Sequence, residues 1–550
     1  MGLPVTEPSG QHRSPRAAAD PALMLNDGVV TTTADSRVEP GRHRAPDPVE
    51  GQNPKRWLAV IVCLVGVFMT LLDVSIVNVA LPSLEQGLHA SAAELQWVLS
   101  GYAVTFGLAL VPSGRLGDAF SRRVVLVIGL SGFTLASLAC GLAPDPTVLV
   151  VARLVQGLFA GSVTPQVTGI IQDLFRGAER GRAFGYFGAI AGISTAVGPL
   201  LGGALIAAFG DASGWRYVFF VNLPIGLIAV PLTWRLLKTV EASGPAQQAS
   251  RGRPQLDPIG SVLLGLTVVS LLLPLVQQRE WSLTVRLPFY AAALLLLGVF
   301  LLWERRALRR GRVAVIDLRL FRLSTYTFGS AIALVYFGAF TSVFFVLTLY
   351  LQQGQGYEAW RAGLTVSAFA LLSIPGSRIS GRLSGPHPIR LVRIGSLLVA
   401  TGLGLSVLAV RLGNGFDVGW WLAPPLAIAG FGSGLILPAN QTRAVSQIPV
   451  QQASSAGGVY QTFQRIGTAI GIALVGTVFF GAVSAALPGS SAPAGGGGPP
   501  PGTPPPAMVR DAFATGYEQG ILVSVGLAAL TLLLALGEGL LHRRSRSSSA

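Results

Sequence analysis

Fourteen continuous apolar blocks, most of them near the length that a helix needs to cross a bilayer, fill this chain between residues 57 and 541. Crossing about 30 Å of hydrocarbon takes roughly 20 helical residues. The blocks fall at 57–81, 95–115, 124–143, 148–171, 183–208, 217–236, 258–276, 287–303, 325–350, 361–383, 391–410, 418–439, 455–480 and 519–541. Only helices or a closed barrel satisfy the backbone in lipid. The blocks show no period-two alternation, so they read as helices of an all-α polytopic membrane protein. Of the 550 residues, 51% are hydrophobic and 12% charged, where a soluble protein carries about 25% charged.

The net charge of +15 does not point to nucleic acid, because the basic residues sit in short clusters between the blocks. With the N-terminus placed in the cytoplasm, the tails and the loops after even-numbered helices hold 32 of the 40 Lys and Arg, and the loops after odd-numbered helices hold six. The positive-inside rule requires this asymmetry, and one missed helix would invert every later loop. Both termini are therefore expected in the cytoplasm of a multi-pass cell-membrane protein. Cys63 and Cys140 lie inside apolar blocks and read as small buried hydrophobes. No GxxxxGK[ST] phosphate loop, metal-ligand spacing or catalytic triad stands out, so neither ATP hydrolysis nor an enzyme is expected.

Pieces of the sequence recur at an offset of eight helices. "GRLGDAFSRR" (114–123) follows helix 2 and "GRLSGPHPIR" (381–390) follows helix 10. The glycine-rich "GISTAVGPLLGGA" of helix 5 matches "GTAIGIALVG" of helix 13. The chain then divides into a polar tail at 1–55, expected to be disordered, and a six-helix half at 56–237. A cytoplasmic linker at 238–256 leads to inserted helices 7 and 8 at 257–304. A second linker at 305–324 leads to a C-terminal six-helix half at 325–541. That half contains a Pro/Gly-rich extracytoplasmic loop at 482–516, and a short tail follows at 542–550.

Seven motifs in order carry a resemblance. They are "LLDVSIVNVALP" (71–82), "GRLGDAFSRR" (114–123), "RLVQG" (153–157), "GPLLGG" (198–203), "WRYVFFVNLPIG" (215–226), "LDPIG" (256–260) and "DLRLFR" (317–322). Together they resemble the major facilitator superfamily, and within it the fourteen-helix drug:proton antiporters. The second motif keeps Gly114, Asp118 and Arg122 and departs at Ala119 and Ser121. The resemblance implies a proton-coupled exporter of lipophilic drugs or antibiotics, driven by the proton-motive force without cofactors and working as a monomer. A proton-coupled importer of the same fold and a non-transporting membrane sensor or scaffold are the alternatives.

Asp73 is the residue that most needs an explanation, since a carboxylate in hydrocarbon costs at least a few kcal/mol. It lies about sixteen residues into helix 1, roughly 24 Å from the cytoplasmic start at 1.5 Å per residue. Dehydration disfavours the charged form of an acid, so Asp73 reads as a proton carrier, with a structural ion pair as the alternative. Arg153, about five residues below the outer end of helix 4, falls at a similar depth. It is expected to pair with Asp73, either as a static scaffold or in the coupling that the resemblance implies. Arg465 in helix 13 stands near mid-depth with no acid at its level. It is expected to face Gln156, Gln461, Gln464 or a carbonyl, or else an anionic group of the substrate.

Asn78, Gln156, Tyr336, Phe337 and Gln461 are further candidates for a cavity lining. Such a lining around one carboxylate suits lipophilic cations. Asp118 can accept bonds from Arg122 or from a helix N-terminus, which suits a latch on the cytoplasmic side, while Gly114 permits close helix approach. The second copy has Gly385 in place of the acid, so the latch is one-sided. Gly198 and Pro199 are expected to bend helix 5, and Gly202 and Gly203 to admit neighbouring backbones. The resemblance implies a gate-forming kink there. Glu538 reads as interfacial.

Overall fold

The computed structural model describes residues 2, 55–210, 212–241, 257–277, 281–310, 314–385, 387–413, 417–487 and 507–547. The expected tail at 1–55 (Gly2 and Lys55 apart), residues 242–256 of the first linker, 488–506 of the Pro/Gly-rich loop and 548–550 lie outside the described residues. Among the described residues there is no strand.

Fourteen helices are long and apolar enough to cross a membrane, and each overlaps one apolar block of the sequence. They are α1 (Arg56–Leu81), α2 (Ala93–Ala119), α3 (Arg122–Gly141), α4 (Pro146–Leu174), α5 (Gly177–Phe209), α6 (Gly214–Val240) and α7 (Pro258–Leu275). They continue with α8 (Leu283–Arg309), α9 (Ser324–Gly354), α10 (Trp360–Leu383), α11 (Pro388–Leu412), α12 (Val418–Ala444), α13 (Val450–Ala486) and α14 (Ala507–Gly539). The last begins well before residue 519, where the apolar block starts. Arg510, Asp511 and Glu518 hide its first turns from a hydropathy reading, yet Phe513 and Tyr517 bury there against the second half.

Short polar signals start the helices. Ser91 and Glu94 close a reciprocal capping box at α2. Asp145 caps α4 through the Val148 N–H, with Pro146 in the first turn. Two motifs of the sequence turn out to be the same device. In "LDPIG", Asp257 accepts from the Gly260 N–H at 2.9 Å ahead of Pro258. In "DLRLFR", Asp317 accepts from the Arg319 N–H at 2.9 Å and starts a short 3-10 turn.

One apolar core runs through the N-terminal half and the inserted pair and reaches the ends of α9, α12 and α13. A second fills the C-terminal half. The halves meet along α2 with α13 and along α5 with α10. These are the seams that the repeat read from the sequence expects to be equivalent, helix 2 answering to helix 10 and helix 13 to helix 5. Inserted α7 packs beside α2 and α13 at one seam only, with Gly107 facing Leu272 and Val268, and Gly265 facing Leu108.

Candidate functional site

Asp73 is fully buried in α1 and engaged on both oxygens. The Arg153 guanidinium donates to Oδ2 at 2.6 Å. The Gln156 and Asn222 amides donate to Oδ1 at 3.0 and 3.1 Å. Arg153 and Gln156 are three apart on α4, and so share a helix face; Arg153 also donates to Gln156 Oε1 at 2.8 Å. The guanidinium also meets the Val98 carbonyl at 3.1 Å and the Tyr102 and Phe219 rings, 4.1 and 5.8 Å from Cζ. Asn222 sits where α6 divides into Gly214–Phe220 and Asn222–Glu241, and its amide also reaches Ser137 Oγ at 3.0 Å. A buried pair is tolerated when further bonds satisfy the remaining lone pairs and protons, and these residues supply them.

The second cluster closes the end of the bundle where the chain enters α1 and leaves α14. Asp118, at the end of α2, accepts from the N–H groups of Ser454 and Ser455 at 3.1 and 2.7 Å and from Ser455 Oγ at 2.6 Å. These donors belong to the first turns of α13, where unpaired N–H groups favour an anion. Arg122 holds Asp118 from its own side at 2.7 Å and also contacts Asp173 and the Val450 carbonyl. A Cβ on Gly114 would meet the Ser454 carbonyl oxygen at 2.5 Å, so glycine is what lets α2 reach α13. Among the described residues, no ion pair joins α5 to α10 at the other seam. There Gly181 and Gly185 of α5 lie against Gly381 of α10.

The remaining candidates scatter. Gln156 turns into the Asp73 knot rather than towards a cavity or Arg465. Gln461 reaches across the halves to Thr168 Oγ1 at 3.3 Å, as Gln441 does at 3.4 Å. Tyr336 points into the C-terminal half, where it donates to Ser433 Oγ at 2.6 Å and lines a small apolar cavity with Phe340, Val343 and Phe369. Phe337 stacks beside Tyr336 and Phe340 at 5.8 and 5.7 Å. Asn78 is exposed and bonds back to the Val74 carbonyl one turn earlier. Arg465 is half-buried with its guanidinium 4.1 Å above the Phe106 ring, and it has no ion pair among the described residues.

Several expectations change. Gly203 has open space where a Cβ would stand, so it admits no neighbouring backbone, whereas Gly198 and Gly202 meet Ser75 and Ile76 of α1. Pro199 and Leu200 are the residues of that motif that meet Gly363 of the other half, and α5 runs through Pro199 as one helix. The carboxylate expected to await a lipophilic cation is sealed by three side-chain donors. Glu538 is buried and ion-paired with Arg443 rather than interfacial. Asp173 and the two serines of α13 were missed. Nothing local in the sequence announces them, because their partners lie on other helices.

The family model described as Major Facilitator Superfamily matches residues 63–472. A probable actinorhodin transporter of Streptomyces coelicolor is 35% identical over 470 residues, which cover 85% of this chain and 78% of that protein. A puromycin resistance protein of Streptomyces alboniger is 34% identical over 90% of this chain and 95% of its own length. Among solved structures, the human organic anion transporter MFSD10 superposes with a TM-score of 0.60 over 88% of this chain and 100% of that one. At 14% identity that likeness speaks for the fold alone.

Proposed function

This chain belongs to the Major Facilitator Superfamily, and from that premise we propose that it exports lipophilic small molecules, drugs or antibiotics, in exchange for protons by alternating access. It is a multi-pass membrane protein and a transporter rather than an enzyme. Its similarity to a probable actinorhodin transporter and a puromycin resistance protein supports export of such compounds. The observation that carries the proton coupling is the Asp73 carboxyl, buried in the first span and held by Arg153.

A proton arriving at Asp73 removes the charge that Arg153 neutralises and frees the guanidinium to shift among Val98, Gln156 and the Tyr102 ring. Losing the proton restores the pair. The positive-inside count places both termini in the cytoplasm, so the Asp118 latch closes the cytoplasmic side and this conformer belongs to the outward-facing part of the cycle. The proton-motive force is the sole energy source, and the chain works as a monomer. A membrane potential of 100 mV contributes about 2.3 kcal/mol per charge, enough for a roughly fifty-fold gradient.

The test is a drug-susceptibility panel in an efflux-deficient host at matched membrane levels of each variant. Asp73→Asn is expected to abolish resistance, and Asp73→Glu to retain part of it, because a titratable acid remains. Equal resistance from the parent and Asp73→Asn overturns proton carriage by Asp73.

A further inference from the structure

Two arginines stand deep inside the spans, and they are provided for differently. Arg153 has a carboxylate, an amide oxygen, a backbone carbonyl and an aromatic ring. Arg465 has only the Phe106 face at 4.1 Å, with no carboxylate among the described residues. It lies about twelve residues into the regular helix that starts at Ala453, roughly 18 Å from the latched end. A charge at such depth is costly and marks a substrate or ion pathway by default. A guanidinium cannot discharge by losing its proton, so it needs an external anion or an opening to water.

Its surroundings fit the first. Arg465 sits at the α2–α13 seam, half-buried rather than sealed. Phe106 lies beneath it, and Tyr102 continues the aromatic shelf with ring centroids 6.0 Å apart. Ala469 stands one turn further along the same helix face and is half-buried. A planar fork above an aromatic shelf matches a carboxylate or phenolate on a flat apolar skeleton. The shelf also ends at Arg153, whose Cζ is 4.1 Å from the Tyr102 ring. One row of side chains, Arg465, Phe106, Tyr102, Arg153 and Asp73, therefore joins this position to the buried acid.

We propose that Arg465 anchors an anionic group of the transported compound, so that the substrates are lipophilic acids rather than lipophilic cations. The inference rests on the export reading only for the word transported; binding itself does not depend on energy or direction.

The test uses the full chain purified in detergent and two fluorescent probes of one shape, anthracene-9-carboxylate and the neutral anthracene-9-carboxamide. The parent is expected to bind the carboxylate at least tenfold more tightly than the amide. Arg465→Gln is expected to erase that preference while leaving amide affinity within twofold. Arg465→Lys, which keeps the charge without the fork, is expected to fall between. A parent with no preference for the carboxylate overturns the proposal even if Arg465→Gln fails to fold. So does an Arg465→Gln protein that keeps the preference, or one that loses both probes equally. A parent that lacks the preference but confers intact, Asp73-dependent resistance sinks only this inference. An intact preference without resistance sinks only the export reading.

Discussion

At the scale of single residues, the Asp73–Arg153 pair is where charge and burial conflict most sharply. Removing one member of a buried pair leaves the other uncompensated, at about 3–5 kcal/mol. Arg153→Gln strands a carboxylate and should lose stability by that margin. The double variant Asp73→Asn/Arg153→Gln strands no charge, and should recover a large part of the loss. Chemical unfolding in detergent micelles checks this. A double variant no more stable than Arg153→Gln would show that the pair is not what holds this region. The pairing was legible in the sequence because depth arithmetic on antiparallel helices puts both residues at one level. Gln156 was less so: depth says nothing about azimuth, although its i,i+3 spacing from Arg153 places it on the same face.

At the scale of elements, the α2–α13 seam is fastened chemically and the α5–α10 seam only by shape. Asp118 takes two backbone N–H bonds and a hydroxyl from α13 while Arg122 braces it. Hydrogen bonds to a charged group contribute about 1.5–3 kcal/mol each, so losing the acid should release the latched end. Val111 of α2, 2% exposed and next to Gly458 of α13, reports on this. A Val111→Cys reporter should react with an impermeant maleimide at least fivefold faster in inside-out vesicles when Asp118→Ala is added. An unchanged rate would mean that the seam does not depend on Asp118. The sequence offered Asp118 and Arg122 as a latch, along with the missing acid at Gly385, but not the receiving turn of α13. Ser455 is 337 residues away, and its N–H and that of Ser454 are free to donate only because a helix starts there. The same limit hid the Arg443–Glu538 pair. The helices themselves were legible because hydrocarbon forces apolar blocks; the Asp257 and Asp317 motifs were read only as a resemblance, and the structure shows them to be caps acting within three residues.

At the scale of the whole molecule, the proposed direction of transport rests on an orientation read from charge asymmetry. Fourteen spans put the entry to α1 and the exit from α14 on one side. That side also carries the Asp118 latch and most of the arginines, and in the orientation we propose from the positive-inside rule it faces the cytoplasm. In the proposed cycle the halves rock against each other at the two seams, with the latched conformer closed to the cytoplasm. Inside-out vesicles present this face to the medium. With the lumen made acidic and positive, protons leave the lumen through the carrier while an exported compound enters it. Uptake of a fluorescent substrate from the susceptibility panel should rise at least tenfold over de-energised vesicles and collapse on addition of a protonophore. Asp73→Asn should stay at the de-energised level at matched expression. The Asp118→Ala latch variant should keep some uptake, because the acid on the proton path is intact. Accumulation driven instead in right-side-out vesicles by an acidic exterior would mean that the two halves run as an importer, and would reverse the direction assigned here while leaving the fold and the buried pair as described.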